Sequence, residues 1–262
     1  MAEHAPMTSS NTDAPAWTDQ ALADPHQQSD KSDRVRNMFT AIADSYDLNN
    51  RLHSFYLDQH WRRFAVRKAA VQPGDTVVDV ACGTGDLAEA FAKTPAARVI
   101  GIDFTHAMLE RARNRQSLLR NGLSNKIVYV EGDAMRLPLA DACCDVVSIA
   151  FGLRNVQRPE AAIAEFSRVL RPGGRLVVLE FDRPRLAPIR WGHDFYTKVV
   201  MPRTATWISR DKTGAYRYLP RSVETFLTRG QVMGLMRDAG LENVLAKGLT
   251  GGICTCYRGR KP

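Results

Sequence analysis

The sequence predicts an α/β fold: an open, mostly parallel sheet that closes with one antiparallel strand and carries helices on both faces. Three observations predict it. Short apolar runs alternate with helical periods between Thr76 and Phe181. These runs have no polar face, as strands covered on both sides require. Two late apolar runs have Gly251-Gly252 between them, which suggests a hairpin. Strands are expected near 76–80, 98–102, 127–130, 145–150 and 175–181, with helices near 86–93, 105–120 and 159–169. Arg171-Pro-Gly-Gly174 is a breaker cluster, read as the turn that precedes the fifth strand. A last helix, about Arg229 to Ala239, leads into strands near 242–247 and 252–258.

Ahead of the sheet, Val35, Met38, Phe39, Ile42, Ala43 and Tyr46 recur at helical spacing. A second helix, about Phe55 to Ala70, reaches the Pro73-Gly74-Asp75 turn, so 34–70 form an N-terminal helical lid on a folded domain of 34–262. Residues 1–33 differ in kind. They hold six acids, Glu3 and Asp13 among them, against one base, Lys31, and have no hydrophobic period. Such a segment buries too little to offset its ordering entropy, and an acidic, disordered tail is expected. The chain carries +8 overall, which leaves residues 34–262 at +13. That balance points to an anionic partner: nucleic acid, a lipid surface or an acidic metabolite.

Much of the positive charge falls in an insertion, 183–221, with nine bases and two acids. Trp191, Phe195, Tyr196, Trp207, Tyr216 and Tyr218 are interleaved with them. No apolar run approaches the ~18 residues of a membrane span, and the N-terminus lacks a secretory pattern. The cysteines (Cys82, Cys143, Cys144, Cys254, Cys256) are odd in number and contain no C-x-x-C pair, so they read as reduced thiols of a cytosolic protein with no metal. His53, His60, His106 and His193 are scattered and read as surface or packing residues.

The most informative stretch is Val77-Val-Asp-Val-Ala-Cys-Gly-Thr-Gly-Asp86. A buried strand ends in Ala81, Gly83 and Gly85, and a helix begins at once. Small residues there let the backbone approach a ligand closely. The next strand ends in Asp103, placed to accept hydrogen bonds from the ribose hydroxyls of an adenosine-bearing cofactor. Gly83-x-Gly85-x-x-Ala88 also fits a dinucleotide fingerprint, which keeps a nicotinamide enzyme in view. Three features favour S-adenosyl-L-methionine. Asp79 precedes the glycines, where it can meet an ammonium group directly or through water. Asp133, at the end of the third strand, can bond an adenine edge. The closing hairpin is the third.

At these residues the chain resembles the class I methyltransferases, and closely the ubiquinone/menaquinone biosynthesis C-methyltransferases. Besides the glycine loop, the likeness takes in Ser45-Tyr-Asp47, Trp61-Arg-Arg-Phe64, Phe151-Gly-Leu-Arg-Asn-Val156, Leu170-Arg-Pro-Gly-Gly-Arg175, Leu179-Glu-Phe181, Tyr216-Arg-Tyr-Leu219 and Leu249-Thr-Gly251. It implies a Rossmann-like, seven-stranded sheet and methyl transfer from S-adenosyl-L-methionine to a ring carbon of a polyprenylated quinol. By motif position, Thr84, Asp103, Asp133 and Ala134 would contact the cofactor. Ala150 stands where the family commonly has Ser, and Tyr56 and Asp58 replace a usual Gly and His in the lid.

This reading gives "FGLRNV" a purpose. A guanidinium stays protonated, so Arg154 cannot act as the base. It can hold a developing phenolate by a charge-assisted hydrogen bond, with Asn155 orienting the hydroxyl or a water and Tyr46 capping the methyl-transfer pocket. The structural alternative pairs Arg154 with an acid and leaves Asn155 capping a turn. The insertion suits peripheral contact with the inner face of a membrane, where a polyprenyl tail would be handed over, rather than nucleic acid. Demethylmenaquinol and 2-methoxy-6-polyprenyl-1,4-benzoquinol both satisfy the same ring chemistry. An RNA methyltransferase and a non-catalytic, cofactor-binding partner remain as rivals, and a homodimer is left open.

Overall fold

The structure, a computed structural model, describes residues 17–184, 187–200, 203–204 and 213–262. Of the residues named above, Glu3, Asp13 and Trp207 lie outside these, as do Arg185, Arg210, Asp211 and Lys212 among the charged residues counted in the insertion. The sheet has seven strands in the order β3-β2-β1-β4-β5-β7-β6. They are β1 (Thr76–Val80), β2 (Arg98–Asp103), β3 (Ile127–Glu131), β4 (Cys144–Ala150), β5 (Leu170–Phe181), β6 (Glu242–Leu249) and β7 (Cys254–Arg260). Strands β1 to β5 run parallel, and β7 lies antiparallel between β5 and β6.

The period of two in each strand divides the apolar side chains between two cores. Val77, Val99, Val146 and Val177 face one side, where they meet α4 (Leu57–Ala69) and α5 (Asp86–Ala92) through Trp61, Leu87 and Phe91. Val78, Ile100, Val147 and Val178 face the other, against Ile163 and Phe166 of α7 (Pro159–Val169) and Met236 of the last helix. Both faces are therefore buried, which is why these strands read as unbroken apolar runs.

Two expectations are corrected. The Arg171–Gly174 cluster does not end before the strand. β5 already begins at Leu170, opposite Cys144, while Arg175 lies opposite Val146. Between these pairs one residue of β4, Asp145, faces four of β5, and the breaker residues form a bulge within the strand. Gly173, at φ 79, supplies the left-handed backbone, and its N–H donates to the Lys261 carbonyl.

The second correction concerns the tail, because residues 17–33 are ordered. Trp17 is buried and stacks on Tyr218 with ring centroids 4.2 Å apart. Thr18 caps α1 (Asp19–Ala23). Lys31, at the start of α2 (Lys31–Ile42), is buried and donates to the Val156 carbonyl at 2.6 Å. Burial, helped by the nearby Arg154 charge, pushes its ammonium down to about 8. Trp17, with Ala21 and Leu22 of α1, forms a third core with Val35, Met38 and Ile42 of α2 and with Tyr216 and Tyr218 of the helix Ala215–Glu224. Average composition concealed the anchor: one tryptophan can bury ~150–250 Å².

Candidate active site

The loops that follow β1, β2, β3 and β4 meet at the carboxyl edge of the sheet, beside the point where strand order reverses from β1 to β4. Backbone conformation makes the meeting possible. Ala81, Gly83 and Gly85 have φ of 50, 56 and 91, turning the chain sharply from β1 into α5. A Cβ on Gly152 would stand 2.6 Å from the Ala81 Cβ, so the loops after β1 and β4 approach closely only because position 152 is glycine. At Gly85 a Cβ would lie 2.2 Å from the Tyr129 hydroxyl. Phe151 also has positive φ (60), an unusual state for a bulky side chain. It turns the ring into the junction between two cavities.

The first cavity is a cleft lined by Gly83, Asp103, Asp133, Ala134 and Ala150 at the strand ends, with Phe104 and Met108 as apolar walls and Ser32, Arg36 and Phe39 of α2 outside. Asp103 is buried, and its carboxylate accepts from the Gly83 N–H at 2.8 Å and the Thr105 N–H at 2.9 Å. Burial raises its pKa, and these bonds oppose the rise. Each oxygen keeps a lone pair for a further donor. Asp133 accepts from the Met135 N–H at 2.8 Å, fixing the turn after β3.

The second cavity, about 470 Å³, is mainly apolar. Trp61, Phe151, Phe181 and Ile253 form its floor; α3 (Tyr46–His53), α8 (Ala187–Phe195) and the Leu219-Pro220 turn of helix close its sides. Tyr46 and Phe151 line both cavities. Burial raises the Tyr46 hydroxyl pKa, against the charges of Arg62 and Arg154 and a hydrogen bond with Asn50.

Arg154 and Asn155 are neighbours on one 3-10 turn yet serve different cavities. Arg154 lines the apolar chamber, whereas Asn155 lines the cleft. The Arg154 guanidinium is 3 % exposed. Its Nη1 donates to Glu180 Oε1 and to the Phe151 carbonyl, each at 2.6 Å, and its Nε donates to Ser222 Oγ at 3.3 Å. Glu180 also accepts from the backbone N–H groups of Arg154 and Phe181. Arg154 is thus paired with an acid, as the structural alternative expected, and it also lines a cavity. Asn155 is held by bonds within the fold. Its amide donates to the Phe151 carbonyl at 3.3 Å and accepts from the Tyr218 hydroxyl at 3.0 Å, so both ends are engaged away from the apolar chamber.

Three expected cofactor residues lie behind the lining. Thr84 turns its hydroxyl to Asp47 Oδ1 at 2.6 Å, and Asp47 is paired with Arg115 at 2.9 Å. Gly85 acts through its conformation. Asp79 is 1 % exposed, accepts from Ser148 Oγ at 2.8 Å, and leaves Oδ2 without a partner among the described residues. Burial pushes its pKa up to about 7, despite the Ser148 bond and the Arg62 charge. An unpartnered carboxylate oxygen held beneath the glycine loop is a natural receiver for an ammonium group.

Sequence reasoning missed Glu180, Tyr218 as the Asn155 partner, and Arg62 and His53 in the chamber wall. Glu180 and Tyr218 lay within the motifs "LEF" and "YRYL", whose specificity now has a physical basis. His53 bonds the Asn49 carbonyl and Thr204 Oγ1, each at 2.8 Å. The five cysteines are free.

The profile of the ubiE/COQ5 methyltransferase family matches residues 27–261, nearly all of the described chain. The protein belongs to that family. Among its relatives, the Ubiquinone/menaquinone biosynthesis C-methyltransferase UbiE of Syntrophotalea carbinolica is 44% identical over 226 residues, covering 86% of this chain and 93% of its own. The enzyme of the same name from Ectopseudomonas mendocina is 40% identical over 237 residues, covering 90% and 91%. A SAM-dependent methyltransferase from Aquifex aeolicus shares the fold, with TM-score 0.56 and 17% identity over 77% of this chain and 89% of that one. So does a methyltransferase in complex with the Trm112 activator of Haloferax volcanii, with TM-score 0.62 and 20% identity over 86% and 97%. The family member is thus a class I, S-adenosyl-L-methionine-dependent C-methyltransferase. The cleft fits that donor: it offers a carboxylate for vicinal hydroxyls, flat apolar walls for a base, and beneath its glycine loop an orphaned carboxylate oxygen for an ammonium.

Proposed function

We propose that the protein transfers a methyl group to a ring carbon of a polyprenylated quinol, with demethylmenaquinol as its substrate. The observation that carries this reading is the junction of the two cavities. A cleft suited to the donor and a large apolar chamber share Tyr46 and Phe151, and a buried guanidinium opens onto the chamber. The bound donor supplies an electrophilic sulfonium methyl. The protein must then hold the acceptor in line and make its carbon nucleophilic. Arg154 favours ionisation of the ring hydroxyl, because a cation in a water-poor chamber stabilises phenolate, whose charge spreads to the ring carbons. Glu180 fixes the guanidinium plane through Nη1, while Nη2 has no hydrogen-bond partner among the described residues and is free to meet the substrate oxygen. Asn155, tied to Tyr218 and the Phe151 carbonyl, holds the β4 loop that forms the junction. Tyr46 spans the two cavities and caps the transfer point.

The aromatic floor of Trp61, Phe151 and Phe181 favours the fused naphthoquinol over the single ring of a methoxybenzoquinol. The chamber mouth carries exposed apolar side chains: Leu48 and Leu52 on α3, Phe55 and Tyr56 after it, and Trp191 and Phe195 on α8. No helix among the described residues is long and apolar enough to cross a membrane. These side chains, with exposed Arg190 and Arg203 nearby, suit reversible docking on the anionic cytoplasmic leaflet, from which a prenyl tail enters directly. The test has two parts. Purified protein with methyl-labelled donor and a short-tailed demethylmenaquinol should give carbon-bound label. Quinones profiled by mass in cells lacking the protein should show demethylmenaquinone accumulating. Accumulation of the methoxybenzoquinone precursor instead would reassign the ring, and no carbon-bound label on either ring would reject the reading.

A further inference from the structure

Arg62, on α4, is a second buried guanidinium in the chamber wall, with its side chain 9 % exposed. Its bonding differs from that of the half-buried Arg115 and of the buried Arg154. Arg115 donates to Asp47, Asp86 and Glu89, and Arg154 donates to Glu180, Ser222 and a carbonyl. Arg62 makes no hydrogen bond among the described residues. Its ion-pair contacts run from Nε to Asp58 at 3.9 Å and Asp86 at 4.0 Å, too long for hydrogen bonds, and Nε itself has no partner. Both acids are engaged elsewhere. Asp58 accepts from Ser54 and Gln59, and Asp86 accepts from Arg51, Arg115 and Gln59. Burying a donor-rich cation without hydrogen bonds is costly, so either the fold tolerates a defect or the donors await a ligand.

The surroundings favour a ligand. The guanidinium carbon lies 5.2 Å from the Phe151 ring centroid, just as that of Arg154 lies 5.2 Å from Phe181. The two rings are 4.6 Å apart, so the cations flank one aromatic pair at the chamber floor. Both charges act on the Tyr46 hydroxyl where the cavities join.

We infer that Arg62 is a second oxyanion-binding residue of this site, donating its Nη groups to a negatively charged or phenolic oxygen at the junction of the cavities. The inference rests on the chamber's being the acceptor site. Two sources carry the required chemistry. One is the second oxygen of a 1,4-quinol, at the opposite end of the ring from the oxygen held by Arg154. The other is the carboxylate at the methyl donor's amino-acid end, since the cleft that would hold the donor also reaches Tyr46.

Two ligand pairs, each differing by the oxygen in question, separate these sources. S-adenosylhomocysteine and 5′-methylthioadenosine differ by the amino-acid end. A short-tailed 2-prenyl-1,4-naphthoquinol, kept anaerobic, and the matching 2-prenyl-1-naphthol differ by the second ring oxygen. Dissociation constants are measured calorimetrically on the full chain, its Arg62→Gln variant and its Arg62→Lys variant, the last keeping the charge should the neutral variant fold poorly. The expected result is that one pair differs at least ten-fold in wild type and that Arg62→Gln closes that gap to within about two-fold, with Lys intermediate. The pair that closes names the oxygen. If every gap present in wild type persists in both variants, the inference is overturned. Failure of wild type to bind either naphthol counts against the acceptor reading of the chamber, and Arg62 is then judged on the donor pair alone.

Discussion

The two cavities that meet at Tyr46 and Phe151 are built in opposite ways. The donor cleft is made by strand ends and the turns that leave them, its parts held in register by a parallel ladder. The acceptor chamber is walled by helices and side chains far apart in sequence, among them Tyr46, Arg62, Arg154, Phe181 and Leu219. At the cleft's strand ends stand backbone-anchored carboxylates, whereas the chamber sets two buried cations, Arg62 and Arg154, against an aromatic pair. The lesson is a division of labour. On the proposed function, one region would position the donor through geometry, and the other would change the chemistry of the acceptor through charge in an apolar setting. A variant that damages one region should leave the other intact, and each prediction below tries to break that separation.

The largest effect is expected on the chamber side. Arg154→Met alone would strand Glu180 as a buried anion, a change that costs ~3–5 kcal/mol of stability. Combining it with Glu180→Gln removes that charge. Turnover with a short-tailed quinol should then fall about 10²- to 10³-fold, as when an oxyanion donor is lost. S-adenosylhomocysteine affinity, measured calorimetrically, should stay within about two-fold, because Arg154 does not line the cleft. On the cleft side, Asp103→Ala removes a charged acceptor for the ribose. S-adenosylhomocysteine affinity should drop about 10- to 100-fold, equivalent to ~1.5–3 kcal/mol, with naphthol binding unchanged.

How much of this was legible in the sequence follows the same division. The glycine loop and the placement of Asp103 and Asp133 at the cleft were readable because they depend on local spacing at strand ends. The chamber was not, because its wall is assembled from partners over a hundred residues apart. Nothing in "FGLRNV" reveals that a 3-10 turn sends Arg154 and Asn155 to different cavities. Nor does any spacing announce that Glu180 pairs with Arg154, or that Trp17 of an acidic segment anchors Tyr218 and through it Asn155. The ordered start at Trp17 has the same origin: composition averages over a segment, while burial is decided by single large side chains.

Smaller effects sharpen the comparison further. Asp79 has a folded-state pKa near 7, above the ordinary 3.8, so the fold binds its proton more tightly than the unfolded chain. Its contribution to stability is full below about pH 4 and is lost as pH rises through about 7. Asp79→Asn should flatten that slope and stabilise the donor-free protein at pH 8 by up to about 4 kcal/mol, at ~1.4 kcal/mol per pH unit, seen as a raised thermal midpoint. The same variant should weaken S-adenosylhomocysteine binding if the orphaned oxygen serves the ammonium. Thermal melts across pH 4 to 8 check the first outcome and calorimetry the second. The smallest effect is expected at the mouth. Phe55→Ser with Trp191→Ser, both ring residues largely exposed, should lower co-sedimentation with phosphatidylglycerol vesicles several-fold and spare turnover of a short-tailed substrate.

The central claim is that charge in the acceptor chamber makes a ring hydroxyl ionise more readily. A short-tailed 2-prenyl-4-methoxy-1-naphthol, bound with S-adenosylhomocysteine and titrated by its phenolate absorbance, reads this directly. In the wild-type protein its half-ionisation should lie at least about one pH unit below that of the free phenol, whose kind ionises near 10, and the Arg154→Met/Glu180→Gln protein should lose the shift. Equal ionisation of the bound phenol in both proteins would contradict the claim.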